Sequence, residues 1–225
     1  MRVETVVIGA GAAGIAAGQL LRAHGRDVLV LEARSRIGGR ALTRRLIGNI
    51  CFDVGCEWLH SADRNRLLTL ARELGFTISK VPSSWSEPSI DTNFPLAAQM
   101  EFNAACAAFY DRLEVASNLS HDSSAAAWLE PGNPWNPLID AVSSYVNGTE
   151  LADVSVHDSE AYLDSGVDLR IREGYGALVA AMGSACPIAL GSQVQIVDHS
   201  GRISSCRQVV VRSTPNGLSV RCRRR

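Results

Sequence analysis

Three glycines, Gly9, Gly11 and Gly14, and a carboxylate at Glu32 have the types and spacing that hold a dinucleotide. A phosphoryl group needs donors that can approach it with no side chain in the way. Gly9 permits a tight turn, Gly11 lets the backbone come close to a pyrophosphate, and Gly14 lets the following helix pack against the preceding strand. The N-terminus of that helix then points free N–H groups, Ala13 among them, and the positive end of its dipole at the phosphates. Glu32 lies eighteen residues after Gly14. A carboxylate there accepts hydrogen bonds from the adenosine ribose hydroxyls and repels a 2′-phosphate, which disfavours NADP.

These residues do their chemistry only if strand, turn, helix and strand stand in register around them. The apolar run Val3–Ile8 reads as a buried parallel strand and leads straight into Gly9. An Ala- and Leu-rich helical pattern follows over Ile15–His24, and a second strand over Asp27–Leu31 ends at Glu32. This is the beginning of an α/β, Rossmann-like nucleotide-binding domain.

The run Leu31-Glu-Ala33-Arg34-Ser-Arg-Ile-Gly-Gly39-Arg40 resembles the extended fingerprint of the FAD-dependent amine oxidase family, an acid followed by a basic residue and then Gly-Gly-Arg. The resemblance implies FAD, with Ala33, Arg34, Gly39 and Arg40 joining Glu32 around it. Arg40 suits this role because its planar fork pairs with phosphate oxygens. The similarity continues through Asp53-Val-Gly55-Cys-Glu57-Trp58-Leu-His60, a segment that in the family passes beside the flavin ring. It implies close backbone approach at Gly55, with Glu57, Trp58 and His60 near the ring or the substrate channel. On their own, Trp58 and His60 read as a core residue and a satisfied polar residue.

Farther along, Asn65–Gly75 has helical spacing with a glycine stop, and a short strand is expected over Phe76–Val81. From Pro82 to Phe94 the composition turns to Ser, Pro and Asp, which reads as a linker. Helical patterns over Leu96–Leu119 and Leu138–Tyr145 are separated by the proline-rich stretch Pro131–Pro137. This region holds the place of the family's inserted substrate domain. Gly174-Tyr-Gly176 then looks like the family segment that opens a helix, here Ala177–Met182. Strands at Ile188–Leu190 and Val194–Val197 look like the return to the FAD domain, with the Val194 backbone expected against the adenine. The organisation expected is therefore 1–81 FAD-binding, 82–160 helical substrate-domain segment, 161–200 return to the FAD-binding domain, and 201–225 an aberrant Arg-rich tail.

Composition narrows the remaining classes. At 225 residues and 46% hydrophobic content the chain can build a core. It has no run of about 18 apolar residues that would span a bilayer, and the chain enters a strand at once without a charged leader, so a cytoplasmic protein off the membrane is expected. The six cysteines show neither C-x-x-C nor zinc spacing, so reduced thiols and no metal are expected. Seven of the 22 basic residues fall in Arg202–Arg225, which has no acid, so Met1–Gly201 carries 15 basic against 23 acidic residues, net −8. A basic tail can mark a nucleic-acid binder, but no aromatic residue follows Tyr175 to stack on bases.

Beyond Gly201 the sequence departs from the family pattern. All basic residues but Lys80 are arginine, as G/C-rich coding produces, and a frame change between Gly201 and Leu218 with a truncated product is the expectation. The family's water-holding lysine and its aromatic substrate sandwich have no counterparts, Lys80 not standing in that lysine's place, and no catalytic residue is assigned. The resemblance implies oxidation of a small amine (a polyamine, an aromatic monoamine or an amino acid) to an imine, with dioxygen as acceptor and hydrogen peroxide as product. Alternatives are a desaturase or protoporphyrinogen-oxidase type of flavoprotein, and a non-catalytic or unstable FAD-binding fragment.

Overall fold

The computed structural model describes residues 2–81, 93–198, 208–214 and 217–223. The chain divides into two units, 1–82 with 166–225, and 83–165. The linker expected over 82–94 falls almost wholly outside the described residues, as does half of the stretch from Gly201 to Leu218 expected to hold the frame change.

In the first unit the expected opening strand is split. Arg2–Val3 forms β1 and Thr5–Ile8 forms β2. After the glycine turn, Ala12–Ala23 forms α1 and Val28–Leu31 forms β3. Every residue of β3 is buried, as expected for a strand covered on both faces. β2 pairs in parallel with β3 from Thr5↔Val28 to Ile8↔Leu31, which sets the end of β2 beside the end of β3. Ile188–Ala189, β9, adds in parallel on the other side of β3. α1 lies on this sheet through Ile15, fully buried among Ala10, Val30, Ala41, Val179 and Met182. Parallel pairing of β2 with β3 through α1 is the nucleotide-binding architecture that the sequence implies.

The next segments build the frame around the turn. Thr43–Arg45 (β4) and Cys51–Asp53 (β5) form an antiparallel hairpin. Trp58–Leu59 (β6) and Ile78–Ser79 (β7) flank Leu169–Ile171 (β8) in a small antiparallel sheet. The strand expected over Phe76–Val81 is thus reduced to two residues, because β8 is itself only three residues long. Arg66–Glu73 (α2) is capped by Asn65, whose side chain accepts from the Leu67 N–H. The helix after Gly174 runs Tyr175–Met182 (α6), with Leu178 and Val179 fully buried.

The C-terminal region departs from the expectation of an aberrant tail. Val194–Asp198 (β10) pairs in parallel with Gly217–Arg223 (β12), which forms an antiparallel hairpin with Gln208–Thr214 (β11), and β11 pairs with β1. Val211 and Val220 are buried with Val3, Leu29 and Leu31. The physical reason is that Val211 and Val220 give the two arginine-bearing strands apolar side chains for the core, while Arg212 beside Val211 is exposed.

The second unit is helical among its described residues: Leu96–Ser117 (α3), Asn136–Val146 (α4) and Val156–Ala161 (α5). Its core is Phe109, Leu113 and Ala116 of α3 with Ala125, Ile139, Leu151 and Val156. Pro137 sits in the first turn of α4, where its missing N–H costs nothing.

Candidate functional site

The site begins where β2 ends. Gly9 turns with φ +99°, a left-handed conformation that an L side chain resists, while its N–H donates to the Leu31 carbonyl at 2.7 Å. A Cβ on Gly14 would stand 1.9 Å from the Gly9 carbonyl oxygen. The close approach at Gly14 is therefore made chiefly to the turn, with Val7 of β2 farther off at 3.4 Å.

α1 starts without a cap. Gly11 offers no side chain, no acid stands in the first turn, and the first helical bond is Ile15 N–H to the Gly11 carbonyl at 2.9 Å. The N–H groups of Ala12, Ala13 and Gly14 have no partner among the described residues. α2 and α6, by contrast, have their first N–H groups taken by side chains. A twelve-residue helix with a bare N-terminus concentrates positive potential where a phosphate would sit.

Gly38, Gly39 and Arg40 close over this end. The Gly38 N–H donates to the Ala10 carbonyl at 2.8 Å, and a Cβ on Gly39 would lie 3.2 Å from the Gly11 Cα. The two glycine turns face each other backbone to backbone. Arg34 and Arg36 both donate to the Gly39 carbonyl, at 3.2 and 2.9 Å. Arg40 is exposed, and its guanidinium has no ion-pair or hydrogen-bond partner among the described residues. Its fork remains free for an anion.

Glu32 holds the two turns together. It is 7% exposed; Oε2 accepts from the Ala10 N–H at 2.8 Å and Oε1 from the Arg34 N–H at 2.9 Å. Burial alone would raise its pKa. The two backbone hydrogen bonds and the charges of Arg34 and Arg36 outweigh that and hold the carboxyl below the usual carboxylate range. The sequence reading gave Glu32 to a ribose; in the structure its oxygens first serve the chain's own backbone. Each oxygen still keeps one lone pair for a further donor. Ala33 and Ala13 lie exposed at the same rim.

The Asp53–His60 segment, expected beside the flavin ring, is held by contacts within this chain. The close approach that Gly55 permits is to this chain, since a Cβ there would stand 1.8 Å from the Arg40 carbonyl oxygen. Arg170 of β8 covers the Trp58 ring at 4.6 Å and pairs with Glu57 at 2.8 Å. His60 Nδ1 meets Asp168 Oδ1 at 2.9 Å. Glu57, Trp58 and His60 are thus held by Asp168 and Arg170, partners 108 to 113 residues away, which a local motif does not reveal. Val194, whose backbone is expected against an adenine, lies in β10, and its side chain packs on the Val3, Leu29 and Leu31 cluster.

The sequence assigns no individual role to Thr43, Asp53 or Gly176. A Cβ on Gly174 would strike the Thr43 side chain at 2.2 Å, and one on Gly176 the Thr43 N at 2.4 Å. Asp53 accepts from the Tyr175 N–H at 2.8 Å and the Gly176 N–H at 3.3 Å. The Gly-Tyr-Gly pattern was the available signal, but its partner lies over 120 residues away.

A parallel α/β sheet, an uncapped helix N-terminus just past the end of β2 and a facing Gly-Gly-Arg turn define a nucleotide-binding domain built for a pyrophosphate. Residues 12–224 match the family model of flavin containing amine oxidoreductases. The chain belongs to that family, and with it comes the cofactor FAD. It is similar to the flavin-containing amine oxidase A of Sus scrofa, 46% identical over 79 residues, and to the putrescine oxidase of Kocuria rosea, 46% over 72 residues. Those alignments cover 35% and 32% of this chain and 15% of each relative. A redesigned putrescine oxidase structure shares the fold at a TM-score of 0.61 and 18% identity, over 98% of this chain and 57% of that one. Wild-type putrescine oxidase bound to putrescine gives 0.59 over the same shares. The chain therefore spans little more than half the length of the solved structures it matches.

The residues present fit FAD. The free N–H groups of Ala12, Ala13 and Gly14 and the Arg40 guanidinium suit the pyrophosphate. The remaining acceptor capacity of Glu32 suits hydroxyl donors.

Proposed function

We propose that this chain is the FAD-holding part of an amine oxidase acting on a small amine. The observation that carries the reading is the bare α1 N-terminus facing Gly39 and Arg40, with Glu32 tying both turns in place. Bound there, FAD would supply the two-electron acceptor for oxidation of the C–H beside an amine nitrogen, amine to imine, with dioxygen as the terminal acceptor and hydrogen peroxide as its product. The chain's own contribution is orientation. The helix N-terminus and Arg40 fix the phosphates, and Glu32, kept ionised by its hydrogen bonds, selects hydroxyl donors and repels a 2′-phosphate. Four thiols stand free among the described residues, Cys51, Cys56, Cys106 and Cys186, which suits the reducing cytoplasm included in this proposal.

The test is anaerobic mixing of the flavin-loaded chain with a diamine or an aromatic monoamine while the flavin absorbance is followed. Bleaching that returns on admitting air supports amine oxidation. Retention of flavin without bleaching by any amine supports a second reading, FAD binding without turnover. That reading is favoured by the engagement of Glu57, Trp58 and His60 with Arg170 and Asp168, which leaves the pocket candidates committed to their own neighbours.

A further inference from the structure

We infer that Asp53 and Thr43 form a clasp that positions the phosphate site from the start of α6. The inference rests on the FAD reading above and adds two residues to it that touch no cofactor. Asp53 Oδ2 accepts from the Tyr175 N–H at 2.8 Å, while Oδ1 accepts from the Gly176 N–H at 3.3 Å and from the Thr43 hydroxyl. The same hydroxyl accepts from the Ala177 N–H at 3.1 Å. Two side chains thus take the first three N–H groups of α6, and a carboxylate at the positive end of a helix is the favourable charge there.

The clasp reaches the site through backbone. Asp53 closes β5, two residues before Gly55, which lies directly on the Arg40 carbonyl. The Cys56 N–H donates to that carbonyl at 3.4 Å, and Val54 N–H to the Leu42 carbonyl at 2.8 Å. Arg40 follows Gly39, whose Cα faces Gly11. An unbroken run of backbone contacts therefore links α6 to Asp53, Gly55, Arg40, Gly39 and the bare end of α1. Thr43 anchors the start of the same hairpin, and the close fit of Gly174 and Gly176 leaves it no other position. Preorganising Arg40 and Gly39 spares the cofactor the cost of ordering them on binding. Asp53 and Thr43 are positioning residues.

The test uses the full chain with Asp53→Asn, which keeps shape but offers one acceptor oxygen, and Thr43→Val, which removes the hydroxyl. Leu113→Ala, in the core of the helical unit, a cluster that holds no clasp residue, controls for lost stability. FAD affinity is read by quenching of flavin fluorescence, at a temperature where each variant is folded by circular dichroism. Hydrogen exchange of the cofactor-free proteins is read at the Gly38, Ala41 and Val54 amides. The expected result is about tenfold or greater loss of FAD affinity for both clasp variants, the scale of one hydrogen bond to a charged group, with less than about twofold loss for Leu113→Ala. Exchange at Gly38, Ala41 and Val54 should quicken in the clasp variants and not in the control. Unchanged affinity with faster exchange confined to Tyr175–Ala177 would overturn the inference and leave Asp53 a helix cap only. A folded wild-type chain that takes up no FAD would count against the functional reading, and the exchange at Gly38 and Ala41 would still decide the clasp.

Discussion

Replacing Glu32 by Gln tests the junction on which the site depends. The carboxylate is 7% exposed and accepts one hydrogen bond at each oxygen, from Ala10 N–H at 2.8 Å and Arg34 N–H at 2.9 Å. Gln keeps the volume, loses the charge and turns an N–H₂ toward one of the two backbone donors. One charge-assisted bond is lost outright and the other weakened to a neutral one, a cost of about 2–3 kcal/mol at neutral pH. For a chain of this size that corresponds to a fall of roughly 4–12 °C in unfolding midpoint. The assay is thermal unfolding of the cofactor-free chain followed by circular dichroism across pH. The folded-state pKa of Glu32 is lowered relative to its unfolded value. Its stabilisation is therefore present above the unfolded pKa and is lost as pH falls through the folded one. The gap between wild type and Glu32→Gln should be fully open at pH 7 and should close in the acid range below the usual carboxylate pKa. A gap that is absent at pH 7, or that stays constant into acid, would refute the argument that a charged carboxylate locks the two turns.

Three further outcomes follow from the same geometry. Gly14→Ala places a methyl 1.9 Å from the Gly9 carbonyl, so the turn must move; a loss of about 1–3 kcal/mol in denaturant unfolding is expected, together with loss of flavin retention on desalting. Arg40→Ala should leave the unfolding midpoint within about 0.5 kcal/mol of wild type, as for an exposed, unpartnered side chain, yet weaken FAD binding about tenfold in a fluorescence titration. Phe109→Ala removes a side chain that is 1% exposed at the centre of the helical unit, and should cost that unit about 3–5 kcal/mol, read as early loss of helical signal in urea.

What the sequence reveals and what it hides divide along the range of the interactions. The β2–turn–α1–β3 unit is legible because its signals are local: an apolar run, glycines at fixed spacing, and an Ala-rich helical stretch all within 32 residues. The Gly-Gly-Arg turn is legible for the same reason. Partners distant in sequence are not. Nothing near Trp58 announces Arg170, and nothing near Gly176 announces Asp53, because β6 meets β8 and α6 meets the β4–β5 hairpin only after more than 100 residues of chain. Gly55 shows the same limit, its spacing being equally compatible with approach to a ligand or to Arg40. The C-terminal strands were obscured by arginine content, although the β-branched run Val209-Val-Val and the alternation Leu218-Ser-Val-Arg were already present.

The most direct measurement of the central claim is the visible absorption spectrum of the purified 225-residue chain after free flavin is removed by desalting. The account requires a resolved flavin spectrum at equimolar content, lost in Gly14→Ala and weakened in Arg40→Ala. A folded chain that stays colourless after incubation with FAD would contradict it.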